Sequence, residues 1–76
     1  MPRLKVLSGK SVIKMLRHFG FVVVGQHGSH VQMKLGAHKA TIPLHDELKK
    51  KTMLDIYRQL ESMISKDDLD DMFYTK

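Results

Sequence analysis

Apolar positions recur first at helical and then at strand spacing, and the change of period divides the chain into elements. Val12, Ile13, Leu16 and Phe19 repeat at the three-to-four-residue interval of one helix face. They follow Ser8, a residue type that caps helix N-termini. Gly20 stands where a left-handed residue would end this helix. Lys10, Lys14 and Arg17 fall at i, i+4 and i+7 on another side, so the helix carries a basic stripe beside the one it buries. Phe21-Val22-Val23-Val24, aromatic and β-branched, predicts a strand, and Gly25-Gln26-His27-Gly28-Ser29 predicts a turn after it. From His30 the period becomes two. Val31, Met33 and Leu35 point one way and His30, Gln32 and Lys34 the other, as in a half-buried strand.

Gly36 marks a second turn, after which Ala40, Ile42 and Leu44 alternate with Lys39, Thr41 and Pro43. Proline donates nothing to a ladder, so this third strand lies at an edge or ends there. A charged loop from His45 to Lys51 leads to Thr52. With Asp55 three residues on, Thr52 resembles a capping box for a second amphipathic helix carrying Met53, Ile56, Tyr57, Leu60 and Ile64. Ser65 and Asp68 repeat the signal ahead of a short terminal helix with Leu69, Met72 and Phe73. The predicted architecture is α+β in the order α-β-β-β-α, with two helices on one face of a three-stranded antiparallel sheet and a short helical turn at the end. Methionines within the elements (Met15, Met33, Met53, Met63 and Met72) read as core filler.

Length and composition then limit the function. Seventy-six residues make one domain, 1–76, too small for a large cofactor-binding enzyme, and no cofactor is expected. Cysteine is absent, which removes thiolate zinc sites and fits a reducing, cytoplasmic setting. The longest apolar run, Phe21 to Val24, is far too short for a membrane span or a signal core. The net charge of +5 is unevenly distributed: no acid occurs in the first 45 positions, whereas Asp67, Asp68, Asp70 and Asp71 crowd the end. Such a partition suggests a polyanion-binding face with a counter-charged tail.

Five histidines raise the question of a metal. Zinc takes three or four convergent protein ligands. Here no cysteine is available, carboxylates are lacking before Asp46, and the odd separation of His38 and His45 points them to opposite faces of a regular strand, so no metal site is expected. His30 differs from the others. It opens a strand on the polar face, directly after Gly28-Ser29, and shares that face with Lys34. An imidazole beside basic groups suits proton transfer on a phosphodiester, with lysines neutralising the charge that develops. RNA supplies its own 2′-hydroxyl as nucleophile. Taken on spacing alone, an exposed histidine that only binds is the plainer reading. Lys49-Lys50-Lys51, ahead of a helix N-terminus, would hold a phosphate with help from the helix dipole.

Ser8-Gly9-Lys10 before a helix, Gly20-Phe21, and Gly28-Ser29-His30 opening a strand resemble the HicA family of small toxins. Ile42-Pro43-Leu44-His45, then Glu47-Leu48-Lys49-Lys50 and Thr52, resemble the family's second block. The likeness spans roughly Leu7 to Phe73. It implies a double-stranded-RNA-binding-domain-like fold, cleavage of messenger RNA, and neutralisation by a HicB-type antitoxin. The family's functional histidine corresponds to His30. Gly25 and His27 stand where members often carry basic residues, and Lys51 where a glycine is common. The resulting expectation is a metal-independent endoribonuclease with His30 as general acid or base. Gly28 and Ser29 would place the phosphate, and Lys34, Lys39, Lys49, Lys50, Lys51 and Lys10 would bind RNA, with Lys14 and Arg17 as weaker contacts. Whether His27 or His45 assists is open at this level. A non-catalytic RNA-binding module of the same fold, and a basic surface that docks an acidic partner, are the alternatives.

Overall fold

The computed structural model describes residues 3–75. Helix α1 (Gly9–His18) precedes β1 (Val22–His27), β2 (His30–Leu35) and β3 (His38–Pro43), and α2 (Lys50–Leu60) and α3 (Lys66–Phe73) follow. The strands form one antiparallel sheet in the order β1-β2-β3. This is the α-β-β-β-α order expected, in a double-stranded-RNA-binding-domain-like arrangement, and the terminal turn is a full eight-residue helix.

The local signals explain most of these boundaries. The Ser8 side chain accepts from the Ser11 amide and caps α1. At the other end Gly20, with φ at +95°, lets the amides of Gly20 and Phe21 return to the carbonyls of Arg17 and Leu16 at 3.1 Å each. Leu16 and Phe21, both buried, make the apolar closure that accompanies such an ending. Ser65 caps α3 by accepting from the Asp68 amide, and Asp67 and Asp68 occupy the first turn, where the helix dipole favours them. Val31 and Met33 of β2 and Ala40 and Ile42 of β3 face inward to meet Val12, Leu16, Met53, Ile56, Leu60, Leu69 and Phe73 in one core.

Five expectations need correction. Ile64 is not part of the second helix: α2 ends at Leu60, and Ile64 is buried from the turn that follows. Phe19 does not join the buried stripe. It is the C-cap of α1 and stays exposed. The first strand does not stop at Val24. It bulges between Val23 and Gly25 and runs on to His27, so only Gly28 and Ser29 are left for the turn. The third strand ends at Pro43, and Leu44 lies beyond it. Finally, α2 starts not at a Thr52 capping box but at Lys50, with Lys49 as an N-cap that forms no side-chain cap. Leu48 and Met53 hold that start instead. They flank the first turn at the spacing of a hydrophobic staple, and both are buried in the core.

One feature gave no sequence signal. The segment before α1 pairs with the end of the chain: Leu4 bridges Tyr74, the Lys5 amide donates to the Phe73 carbonyl at 2.7 Å, and the Thr75 amide donates to the Arg3 carbonyl at 2.7 Å. The two sheet edges also differ. The Thr41 amide of β3 donates to Gln59 of α2, whereas β1 lies outside the cover of the helices and exposes Val22, Val23 and Val24.

Two measurements test this packing. A Cβ on Gly9 would run into the Pro43 carbonyl oxygen. Gly9→Ala, which by helix propensity alone would stabilise by about 1 kcal/mol, is therefore expected to destabilise by about 1–3 kcal/mol in urea unfolding. The second concerns Tyr57 of α2, whose hydroxyl donates to Asp70 of α3 at 2.7 Å. That hydrogen bond first, then burial and the nearby negative charge, push its pKa up from 10.0 to about 12. The folded state thus holds the proton more tightly than the unfolded one. Its stabilising contribution is complete below pH 10 and is lost as pH rises from 10 towards 12. Ultraviolet titration should show one tyrosine ionising near pH 12, and Asp70→Asn should bring it down.

Candidate functional site

Three backbone hydrogen bonds gather one end of the molecule. The Leu44 amide donates to the Ser29 carbonyl at 2.6 Å, the Gly9 amide to the His45 carbonyl at 2.9 Å, and the Leu48 amide to the Leu7 carbonyl at 2.8 Å. The first ties the β1–β2 turn to the end of β3. The other two tie the segment entering α1 to the segment entering α2. Both helices therefore begin at the end of the sheet that carries Gly28, Ser29 and His30. The partial positive charge of a helix N-terminus is supplied there twice.

The turn itself is tight. His27 and His30 are register partners, so two residues make the reversal, with Gly28 at φ +57° and, among the described residues, no non-glycine residue at positive φ. Glycine first and an ordinary residue second is the pattern of hairpin turns whose twist matches the strands. Gln26 donates from its side chain to the Gly28 carbonyl at 2.9 Å and braces the loop. His30, as the alternation predicts, lies on the face of β2 opposite the core and is exposed, and so are Gly28 and Ser29.

The remaining candidates fall into two groups. Lys10 in the first turn of α1, Lys49 at the N-cap of α2, and Lys50 and Lys51 in its first turn are all exposed at the end just described. Lys34 and Lys39 are directly opposed across β2 and β3 on the open face, Lys34 half-buried and Lys39 exposed. Four residues of strand separate Lys34 from His30, about 13 Å. These two amines thus stand apart from the end of the sheet that carries His30. Lys14 and Arg17 are exposed farther along α1. Spacing did not reveal that His27 stands across from His30, or that the His45 backbone anchors α1.

Among the described residues no group of three or more histidine, aspartate or glutamate side chains is placed to hold a metal ion. No helix among them is long and apolar enough to cross a membrane. A concavity of about 750 Å³ lies between α2 and α3, is lined by residues such as Leu54, Tyr57, Arg58 and Asp70, and includes none of the histidines. A site for a polymer on an open sheet face needs no such cavity.

Comparison with known proteins agrees with this geometry. A family profile described as the HicA toxin of bacterial toxin–antitoxin systems matches residues 9–61, well over half of the chain. The chain belongs to the HicA toxin family. The match begins at the first residue of α1 and closes just after α2, so it takes in every strand and the whole of the gathered end. It leaves α3 and its acidic face outside. No curated protein and no solved structure matches this HicA toxin.

Proposed function

We propose that this HicA toxin is a metal-independent endoribonuclease that cuts messenger RNA in the cytoplasm, with His30 as general acid or base, and that a HicB-type antitoxin holds it inactive. The observation that supports this reading most is the setting of His30. Its ring is exposed, makes no hydrogen bond to another described residue, and stands at the end where both helices start and Lys10, Lys49, Lys50 and Lys51 cluster. Asp46 and Glu47 are exposed in the same segment, but the four lysines outnumber them, so a polyanion is drawn to that end, and a free imidazole waits there.

The chemistry follows from the substrate. The ribose 2′-hydroxyl attacks the adjacent phosphorus, the bond to the 5′ oxygen breaks, and the products are a 2′,3′-cyclic phosphate and a 5′-hydroxyl. The nucleophile belongs to the RNA and needs only a base to take its proton. Gly28 and Ser29 place the scissile phosphate beside His30. The lysines at the helix starts hold the backbone on one side, and Lys34 with Lys39 hold a phosphate farther along the open face. A well-placed acid–base group contributes about 10²- to 10⁴-fold.

His30→Ala is therefore expected to lose about that factor in cleavage of labelled RNA while its melting curve stays unchanged. DNA, lacking the 2′-hydroxyl, should remain intact, and a chelator should make no difference. Undiminished cutting by His30→Ala would overturn the catalytic assignment, and chelator-sensitive cutting the metal-free one. Salt-dependent binding with no turnover by the native protein would leave an RNA-binding module. Replacing Lys49, Lys50 and Lys51 together with Gln tests the binding surface. The slope of log affinity against log salt for single-stranded RNA should fall by about 2. The same variant should melt at a higher temperature, since three cations leave the positive end of a helix dipole. Unchanged salt dependence would remove these lysines from the interface.

A further inference from the structure

We propose that His27 is the second acid–base group of the reaction, exchanging protons with the substrate in complement to His30. This inference rests on the ribonuclease reading and adds to it a role for a residue of this particular chain.

Three observations carry it. First, His27 and His30 are register partners across β1 and β2. Directly opposed residues project from the same face with Cβ atoms about 4.5–5.5 Å apart, so the two rings rise side by side from the open face. Second, both residues are exposed, and neither ring is hydrogen-bonded to another described residue. Both are free to meet a substrate. Third, the pairing is produced by an irregularity. Val23 faces Met33, but the next partner of Gln32 is Gly25 and not Val24. Without the extra residue Gln26 would face His30 and His27 would fall in the turn. The bulge moves β1 on by one position and brings a histidine to the place a glutamine would otherwise take. Bulges commonly re-aim a side chain in this way beside functional sites.

The reaction has a use for two rings. In an in-line displacement the attacking 2′ oxygen and the departing 5′ oxygen lie on opposite sides of phosphorus. One imidazole cannot serve both in a single step. A phosphate seated over the closing pair of the hairpin has a ring on either side. The neutral ring takes the 2′-hydroxyl proton as the bond from the 2′ oxygen to phosphorus forms. The protonated ring gives its proton to the 5′ oxygen as the bond from phosphorus to that oxygen breaks. Each ring ends in the other's starting state. Addition of water to the cyclic phosphate with the roles reversed then yields a 3′-phosphate and restores both. Gln26, through its bond to the Gly28 carbonyl, acts as a positioning residue for the turn.

The test uses the full chain and two RNA substrates, one ordinary and one with sulfur in place of the bridging 5′ oxygen at the cleaved linkage. Sulfur leaves without protonation, so loss of the general acid is silent on that substrate, whereas loss of the base is not. His27→Gln and His30→Gln should each lose about 10²- to 10⁴-fold on ordinary RNA, and one of the two, not both, should recover on the sulfur substrate. Moving the histidine to the other face, with Gln26→His added to His27→Gln, should restore nothing. Full activity of His27→Gln on ordinary RNA would overturn the pair while leaving His30 as the lone catalytic group. Equal, unrecovered losses in both variants would overturn the division of labour. A fully active His30→Gln would instead overturn the assignment of His30 on which the pair depends, and no cleavage by the native protein would sink the ribonuclease reading itself. Matching circular dichroism and melting curves establish that each variant is folded.

Discussion

The close approach of the first turn of α1 to the end of β3 decides what can lie at the end of this toxin that carries His30. Gly9 sits so near the Pro43 carbonyl that no side chain fits between them, and its amide is used by the His45 carbonyl. Backbone therefore lies against backbone where a side chain would normally keep two elements apart. Since Leu44 is in turn bonded to Ser29, the position of the hairpin turn is fixed relative to the helix start through two hydrogen bonds and the short stretch from Leu44 to His45. The histidine that opens β2 thus reaches the vicinity of two helix N-termini with no dedicated loop to hold it there. A side chain at position 9 would displace the helix start and, with it, the lysines that stand beside His30.

Much of the frame was legible because its signals are local. Ser8, Gly20 and Ser65 each satisfy or terminate a helix end within a few residues, and the alternation through β2 and β3 reports directly which side chains face the core. The start of α2 was misread for the same reason. A threonine with an acid three residues on looks like a cap, but the buried contact available to Leu48 outweighs it and draws the helix back to Lys50. Packing across the molecule leaves no mark in a short window. The pairing of Leu4 with Tyr74 joins residues seventy positions apart, and nothing nearby in the chain announces it.

The candidate site divides along the same line. That His30 would be exposed follows from the period of its strand. That His27 would stand opposite does not, because Gly25, Gln26 and His27 have the composition of a turn and two glycines bracket the latter pair. The strand continues through them because β2 offers a partner at every step, and the bulge absorbs the residue that would otherwise spoil the register. Ladder hydrogen bonds, which belong to the pair of strands and not to either alone, override weak local preference.

The three helix starts show where stability has been given up. Two are capped by serine, and α3 adds two aspartates in its first turn. Helix α2 has neither device: no side-chain cap, no acid in the first turn, and lysine at the three positions where cations are least favourable. In a chain of 76 residues, with little surface to bury, such a departure is costly and a serine would remedy it. Local rules are most often broken where a binding requirement competes with them. A bound phosphate would reverse the balance, since it accepts from the free amides and neutralises the amines together. Four of the eight acidic residues, Asp67, Asp68, Asp70 and Asp71, are where the same logic puts them, on α3 and beyond the last histidine, two of them in the first turn of that helix.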